Sequence, residues 1–286
     1  MSQRKRNTRR LRREPLRHHL QAQPAAAAAT RGHQPTPHRE SLILPGTDVL
    51  AIGGLRTIAI ELTPLYAMIS AVYQALGARH SSSLIVASAQ MVRGLDYLGF
   101  QSELIAACTS VYRSADKPVA MADIGVWQHP PIIQDDGTTD SHAVIWTSSF
   151  SRCIDLGVCQ HTGLQRETVT AQVVTLPVIL PVPGGRDYLL TSARSLVTFR
   201  KPFALQWMFF PQWTPHLEPL LERHSGIIEH GGLALAHMVV DQLSAVAVTR
   251  NLHQIKTLYP RLSDLLVGNT RLPELNDSLP REPDPQ

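Results

Sequence analysis

Aromatic residues are scarce and cysteines scarcer. Phe, Trp and Tyr make up 6% of the 286 residues, and there are three cysteines. Cys108, Cys153 and Cys159 form no CxxC pair and no even-numbered framework. That excludes a small scaffold stapled by disulfides and points to a reducing, cytoplasmic setting. No window reaches the roughly 20 uninterrupted apolar residues of a membrane span. The best candidate, Gly232–Val248, is broken by His237 and Asp241. There is no GxGxxG, no phosphate-binding P-loop and no repeat at solenoid periods. Charged residues amount to 17% and apolar residues to 43%, a balance that suits a globular chain with one sizeable core or two small ones.

Charge is unevenly spread. The chain carries +4 overall, yet residues 1–39 hold ten Lys or Arg against one acid, Glu14, a local net of +9. The remainder has 17 basic and 22 acidic residues, a net of −5. Residues 1–40 have no aromatics and few aliphatics beyond alanine, so they cannot offset their own ordering entropy and are expected to form a disordered basic tail. Arg9, Arg10, Arg12 and Arg13 are its candidate contacts for non-specific nucleic acid, with a solubilising leader as the plainer reading. The tail lacks the apolar core of a secretory signal. Residues 271–286, rich in proline and acid, are expected to be disordered as well.

Between the tails the hydrophobic period changes. Apolar residues from Ile58 to Leu76 recur at helical spacing, with Pro64 either kinking that helix or starting it behind Thr63 as N-cap. Leu84, Ala87, Met91, Leu95 and Leu98 predict a second helix over Ser82–Leu98, stopped by Gly99. Strands are predicted at Gln101–Tyr112, His142–Trp146, Cys153–Leu156, Val173–Leu180, Tyr188–Thr191, Leu196–Arg200 and Leu205–Phe210. Ser114–Thr139 reads as a long loop, and Gly184–Gly185 as a hairpin turn. Helical signals return over Pro215–Val248, weakened by Gly226, Gly231 and Gly232, and again over Leu252–Leu266. The expected fold class is α+β: N-terminal helices packed on a central antiparallel sheet, with C-terminal helices. The expected division is a core over 41–212 and a helical segment over 213–270.

Three polar features stand out against this frame. His142 opens an apolar strand, the chain turns over at Ser148–Ser151, and a second strand presents Asp155. Antiparallel strands joined in this way bring an imidazole and a carboxylate together, and the carboxylate then fixes the ring's tautomer. Upstream, Ser81, Ser82 and Ser83 stand at the start of the second helix, where free N–H groups and the helix dipole favour an anion. Serines there are equally explained as N-caps.

The helix ending in DYLGF, then ELIAACTSVY, HAVIW and CIDLGVCQ, resembles the transglutaminase-like branch of the papain-like cysteine enzymes over Thr57–Gln160. That resemblance implies a nucleophile at a helix start, then His, then Asp, in chain order. It assigns Ser83 (or Ser81 or Ser82) to the nucleophile position, His142 as general base and Asp155 as orienter. Serine stands where the pattern calls for cysteine, and serine cannot be pre-ionised as a thiol can. The resemblance therefore implies a degenerate domain that binds or scaffolds a peptide or acyl group, in a bacterial cytoplasm. One alternative is a serine-dependent acyl or amide hydrolase using Ser83, His142 and Asp155. Another is an accessory protein that binds nucleic acid through its tail.

The remaining features have plainer readings. Cys108 lies in an apolar strand as a small hydrophobe. Cys153 and Cys159 are expected on the side opposite Asp155. His224, His230 and His237 read as a solvated helix face, so no metal is expected, and no cofactor. The aromatic run Trp207–Trp213 is expected to be buried.

Overall fold

The computed structural model describes residues 60–77, 84–113, 119–126, 128–134, 139–157, 179–182, 184–191, 195–200, 203–245 and 257–275. Helix α1 spans Thr63–Gly77 behind a single 3-10 turn at Ile60–Leu62, so Pro64 sits in the first turn, where its missing N–H is harmless. Helix α2 is Leu84–Tyr97. Among the described residues seven strands follow: β1 Ser102–Arg113, β2 Val119–Ile124, β3 His142–Thr147, β4 Arg152–Ile154, β5 Ile179–Pro181, β6 Ser195–Arg200 and β7 Phe203–Phe209. A short helix, α3 (Gly185–Leu190), stands between β5 and β6. After β7 come a 3-10 segment (Pro211–Leu217), α4 (Glu218–Arg223), α5 (Ser225–Ala245) and α6 (Pro260–Leu266).

All strand pairs are antiparallel, in the order β5-β4-β3-β1-β7-β6. The long strand β1 organises the sheet. Its first half pairs with β3, its second half pairs with β2, and β7 runs along its other edge. Period-two alternation then divides the side chains between two faces. Ile145 and Ile154 join Leu65, Met68, Met91, Leu95, Val239 and Leu262 in one core under α1, α2, α5 and α6. Each such fully buried side chain contributes about 1.5–3 kcal/mol of transfer free energy. Val144, Trp146, Cys153, Leu205, Trp207 and Phe209 form the core of the opposite face, with Leu189 of α3. The chain is thus an α+β fold, and its C-terminal helices share a core with the N-terminal ones.

Helices α2 and α5 approach closely because glycines face each other. A Cβ on Gly94 would stand 3.0 Å from the Gly232 carbonyl oxygen, and one on Gly232 would stand 2.6 Å from Arg93 Cβ. Of the glycines predicted to weaken α5, Gly231 and Gly232 instead let it lie against Gln90 and Arg93 of α2, and the helix runs through all three for 21 residues. Arg93 closes the seam outside with a two-pronged pairing to Glu229.

Several sequence expectations need correction. Within the stretch read as a loop, Val119–Ile124 is a strand, because the second half of β1 needs a partner that its own alanine-rich pattern does not announce. Tyr188–Thr191, read as a strand, lies mostly in α3, and Gly184 is its N-cap at φ 81° rather than part of a hairpin turn. A four-residue apolar run cannot set helix apart from strand. Here a helical turn buries Leu189 and leaves Arg186 outside to pair with Glu103. Of Val173–Leu180 only the final residues are described; of Leu252–Leu266, residues 252–256 lie outside the described residues, Thr257 and Leu258 are helical, and after a break at Tyr259 the helix runs over Pro260–Leu266. Both chain tails lie outside the described residues, apart from 271–275.

Candidate functional site

The sheet register decides what His142 and Asp155 can meet. Trp146 pairs with Cys153 and Ile145 with Ile154, so Asp155 continues β4 opposite Val144, one diagonal step from His142 on the same face. His142 Nε2 lies 3.0 Å from Asp155 Oδ1, with both side chains almost fully buried, at 3% and 0% exposed. The approach is short, but the ring N–H is not aimed at the oxygen well enough for a directed hydrogen bond.

Asp155 is held from every side. Across β1 and β7, Thr109 and Trp207 are register partners, and both reach the same carboxylate oxygen. Thr109 Oγ1 donates to Oδ2 at 2.8 Å and Trp207 Nε1 donates at 2.6 Å. The Gly157 N–H donates to Oδ1 at 2.8 Å, a turn that the carboxylate closes on its own chain. Burial pushes the Asp155 carboxyl up, but His142, Trp207 and Thr109 together outweigh it and hold the group below its ordinary value. The carboxylate stays ionised across the physiological range.

Gly157 also seats the imidazole. A Cβ there would come within 2.6 Å of His142 Cε1 and 3.1 Å of Nδ1, so any larger residue drives into the ring. Nδ1 is the nitrogen turned away from Asp155, the one a nucleophile would have to face.

Ser81, Ser82 and Ser83 lie outside the described residues, as do Cys159 and Arg9, Arg10, Arg12 and Arg13. The first described turn of α2 is informative all the same. Ile85 packs with Ala106, Cys108 and Ala143, whose side chains leave the sheet on the face opposite His142 and Asp155. The structure brings His142 and Asp155 together and sets the start of α2 against the other side of the sheet.

Cys153 lies on the same face as Asp155, contrary to expectation, because residues two apart on a strand share a side. Burial pushes its thiol up, and the Asp155 charge adds to this. Cys108 is fully buried, with its thiol pushed up to about 12, first by burial and then by Asp123. Its Sγ donates weakly to the Gly125 carbonyl. Neither is a nucleophile at neutral pH. Among the described residues no group of three His, Cys, Asp or Glu converges on a metal position, and no helix is long and apolar enough to cross a membrane.

Sequence reasoning missed Thr109, Trp207 and Gly157. Trp207 is hidden in an aromatic run whose burial accounts for it without a polar role. Thr109 carries a faint signal, a hydroxyl in the middle of an apolar strand.

No family model matches the chain, and no curated protein does. One solved crystal structure, described only as genomics APC5867, superposes with a TM-score of 0.34 at 11% identity, covering 64% of this chain and 80% of that one. A likeness that slight carries no argument about activity.

Proposed function

We propose that this chain is a transglutaminase-like, papain-type domain degenerate at its nucleophile, retained to bind or scaffold a peptide or acyl group. One observation carries the reading. The pair that would be base and orienter is in place at the strand ends, with His142 Nε2 3.0 Å from Asp155 Oδ1, while the first turn of α2 packs on the other face of the sheet and brings no nucleophile to it. An ionised Asp155 with donors on both oxygens, beneath a ring seated on Gly157, is a polar clamp that ties β1, β4 and β7 together. Such a clamp is held by the fold whether or not substrate is turned over.

The short His142–Asp155 contact favours a second reading, a serine-dependent acyl or amide hydrolase with one of Ser81–Ser83 as nucleophile. Labelling with a serine-reactive fluorophosphonate separates the two. Under the degenerate reading, wild type and the variant with all three serines changed to alanine label equally weakly. Wild-type labelling that disappears both in that variant and in His142→Ala puts the hydrolase first.

A further inference from the structure

At the opposite end of β3 from His142, the C-terminal turn of α2, the β3–β4 turn and the lead into α6 line a half-open surface hollow of about 430 Å³. Its size is within the range of small-molecule sites. Phe100, Leu258, Tyr259 and Pro260 supply its apolar wall. Phe100, Phe150 and Tyr259 brace one another behind it, with ring centroids 4.8, 5.1 and 5.6 Å apart. Leu258 stands at the mouth, 48% exposed.

The polar groups of the hollow are donors. Arg261 is exposed and oriented by one bond: its Nε donates to the Tyr97 carbonyl at 2.8 Å, and its stem lies over Gly99. A Cβ on Gly99 would stand 2.8 Å from Arg261 Cδ, and the φ of +86° at that position disfavours a side chain as well. Among the described residues no carboxylate pairs with this guanidinium. Ser149 Oγ accepts from the Gln101 N–H at 3.0 Å, which leaves its own proton to donate. The Tyr259 hydroxyl is already committed to the Glu61 carbonyl. No lining residue carries a carboxylate.

We propose that this hollow binds a small carboxylate with an apolar body, its anionic end on Arg261 and Ser149 and its body against Phe100, Leu258 and Pro260. The oriented guanidinium is suited to a planar carboxylate, and a neutral amide of the same shape forfeits the charge-assisted bonds. The site is separate from the His142–Asp155 pair and does not depend on the role given to that pair.

The test is titration of the full chain at neutral pH with phenylacetate and with phenylacetamide, followed by NMR shifts or calorimetry. Saturable phenylacetate binding at about 1 mM or tighter is expected, with the amide weaker by about tenfold or more. Arg261→Gln lowers phenylacetate affinity by a similar factor. Because that change also removes a helix-end bond, Leu258→Asp serves as the independent variant: the side chain is exposed, and a carboxylate at the mouth repels the probe without touching the core. Equal binding of acid and amide overturns the proposal. So does unchanged affinity in either variant, or no saturable binding below about 10 mM.

Discussion

Replacing Asp155 by asparagine probes the polar clamp with almost no change of shape. Oδ1 faces Gly157 N–H and His142 Nε2, and Oδ2 faces Thr109 and Trp207. An amide offers one acceptor and one NH2 group. If the amide oxygen stays with Trp207, the NH2 meets the Gly157 N–H; flipped, it meets the Trp207 indole N–H. In either orientation a buried donor loses its acceptor, at about 1–3 kcal/mol, and the contact between the carboxylate and His142 is lost as well. A total of about 3 kcal/mol is expected. With a urea m-value of about 2–3 kcal/mol/M for a chain of this size, the midpoint falls by about 1 M, read by tryptophan fluorescence. The pH dependence gives a second check. The folded carboxyl lies below its ordinary 3.8, so its stabilising contribution is complete above that pH and disappears as pH falls further, toward the folded value. The gap between wild type and Asp155→Asn must therefore narrow on acidification below about pH 4. A midpoint shift under about 0.2 M at pH 7, or a gap that widens in acid, refutes the clamp.

Four further outcomes follow. Gly232→Ala forces a Cβ to within 2.6 Å of Arg93 Cβ and should cost about 1–3 kcal/mol in urea unfolding, through separation of α2 from α5. Arg93→Ala, by contrast, removes ion pairs whose partners are half exposed and should cost no more than about 1 kcal/mol in the same assay. The Cys108 thiol is raised, so the stability it lends is complete below its ordinary value of 9 and is lost as pH climbs toward about 12. Accordingly Cys108 and Cys153 should resist a thiol reagent in the native protein and react only in denaturant. Deleting residues 1–39 should abolish any nucleic-acid binding, and binding before deletion should fall steeply with salt, read by fluorescence anisotropy; binding that survives deletion places a site in the body of the protein.

What the sequence reveals about this fold follows from how local each signal is. Helices α1 and α2 are legible because the apolar spacing of Leu65, Met68, Ile69 and Val72, and of Met91, Leu95 and Leu98, is a property of the segment itself. The β3–β4 pair is legible because His142–Trp146 and Cys153–Leu156 flank a short polar turn. Strand β2 is not, since Val119–Ile124 becomes a strand only beside the far half of β1. Helix α3 is short enough that its tertiary neighbours, Glu103 on Arg186 and the core around Leu189, decide its form. At the candidate site, the His142–Asp155 proximity can be read from chain order and turn length. Trp207 cannot, because the bond from its indole to Asp155 spans 52 positions and depends on β7 lying beside β1. The side of the sheet on which α2 packs is likewise a tertiary fact that no motif announces.

Under the proposed reading Ser83, which precedes the described first turn of α2 in the chain, is not coupled to the His142–Asp155 pair. The most direct test is the thiol pKa of Ser83→Cys, followed by pH-dependent alkylation and compared with the same change in a His142→Ala background. The expected thiol titrates near its reference value of about 8.5, unmoved by loss of His142, with no gain on an acyl reporter. A thiol titrating below about 7 that returns to the reference value when His142 is removed, with acyl turnover that depends on both residues, would contradict the reading.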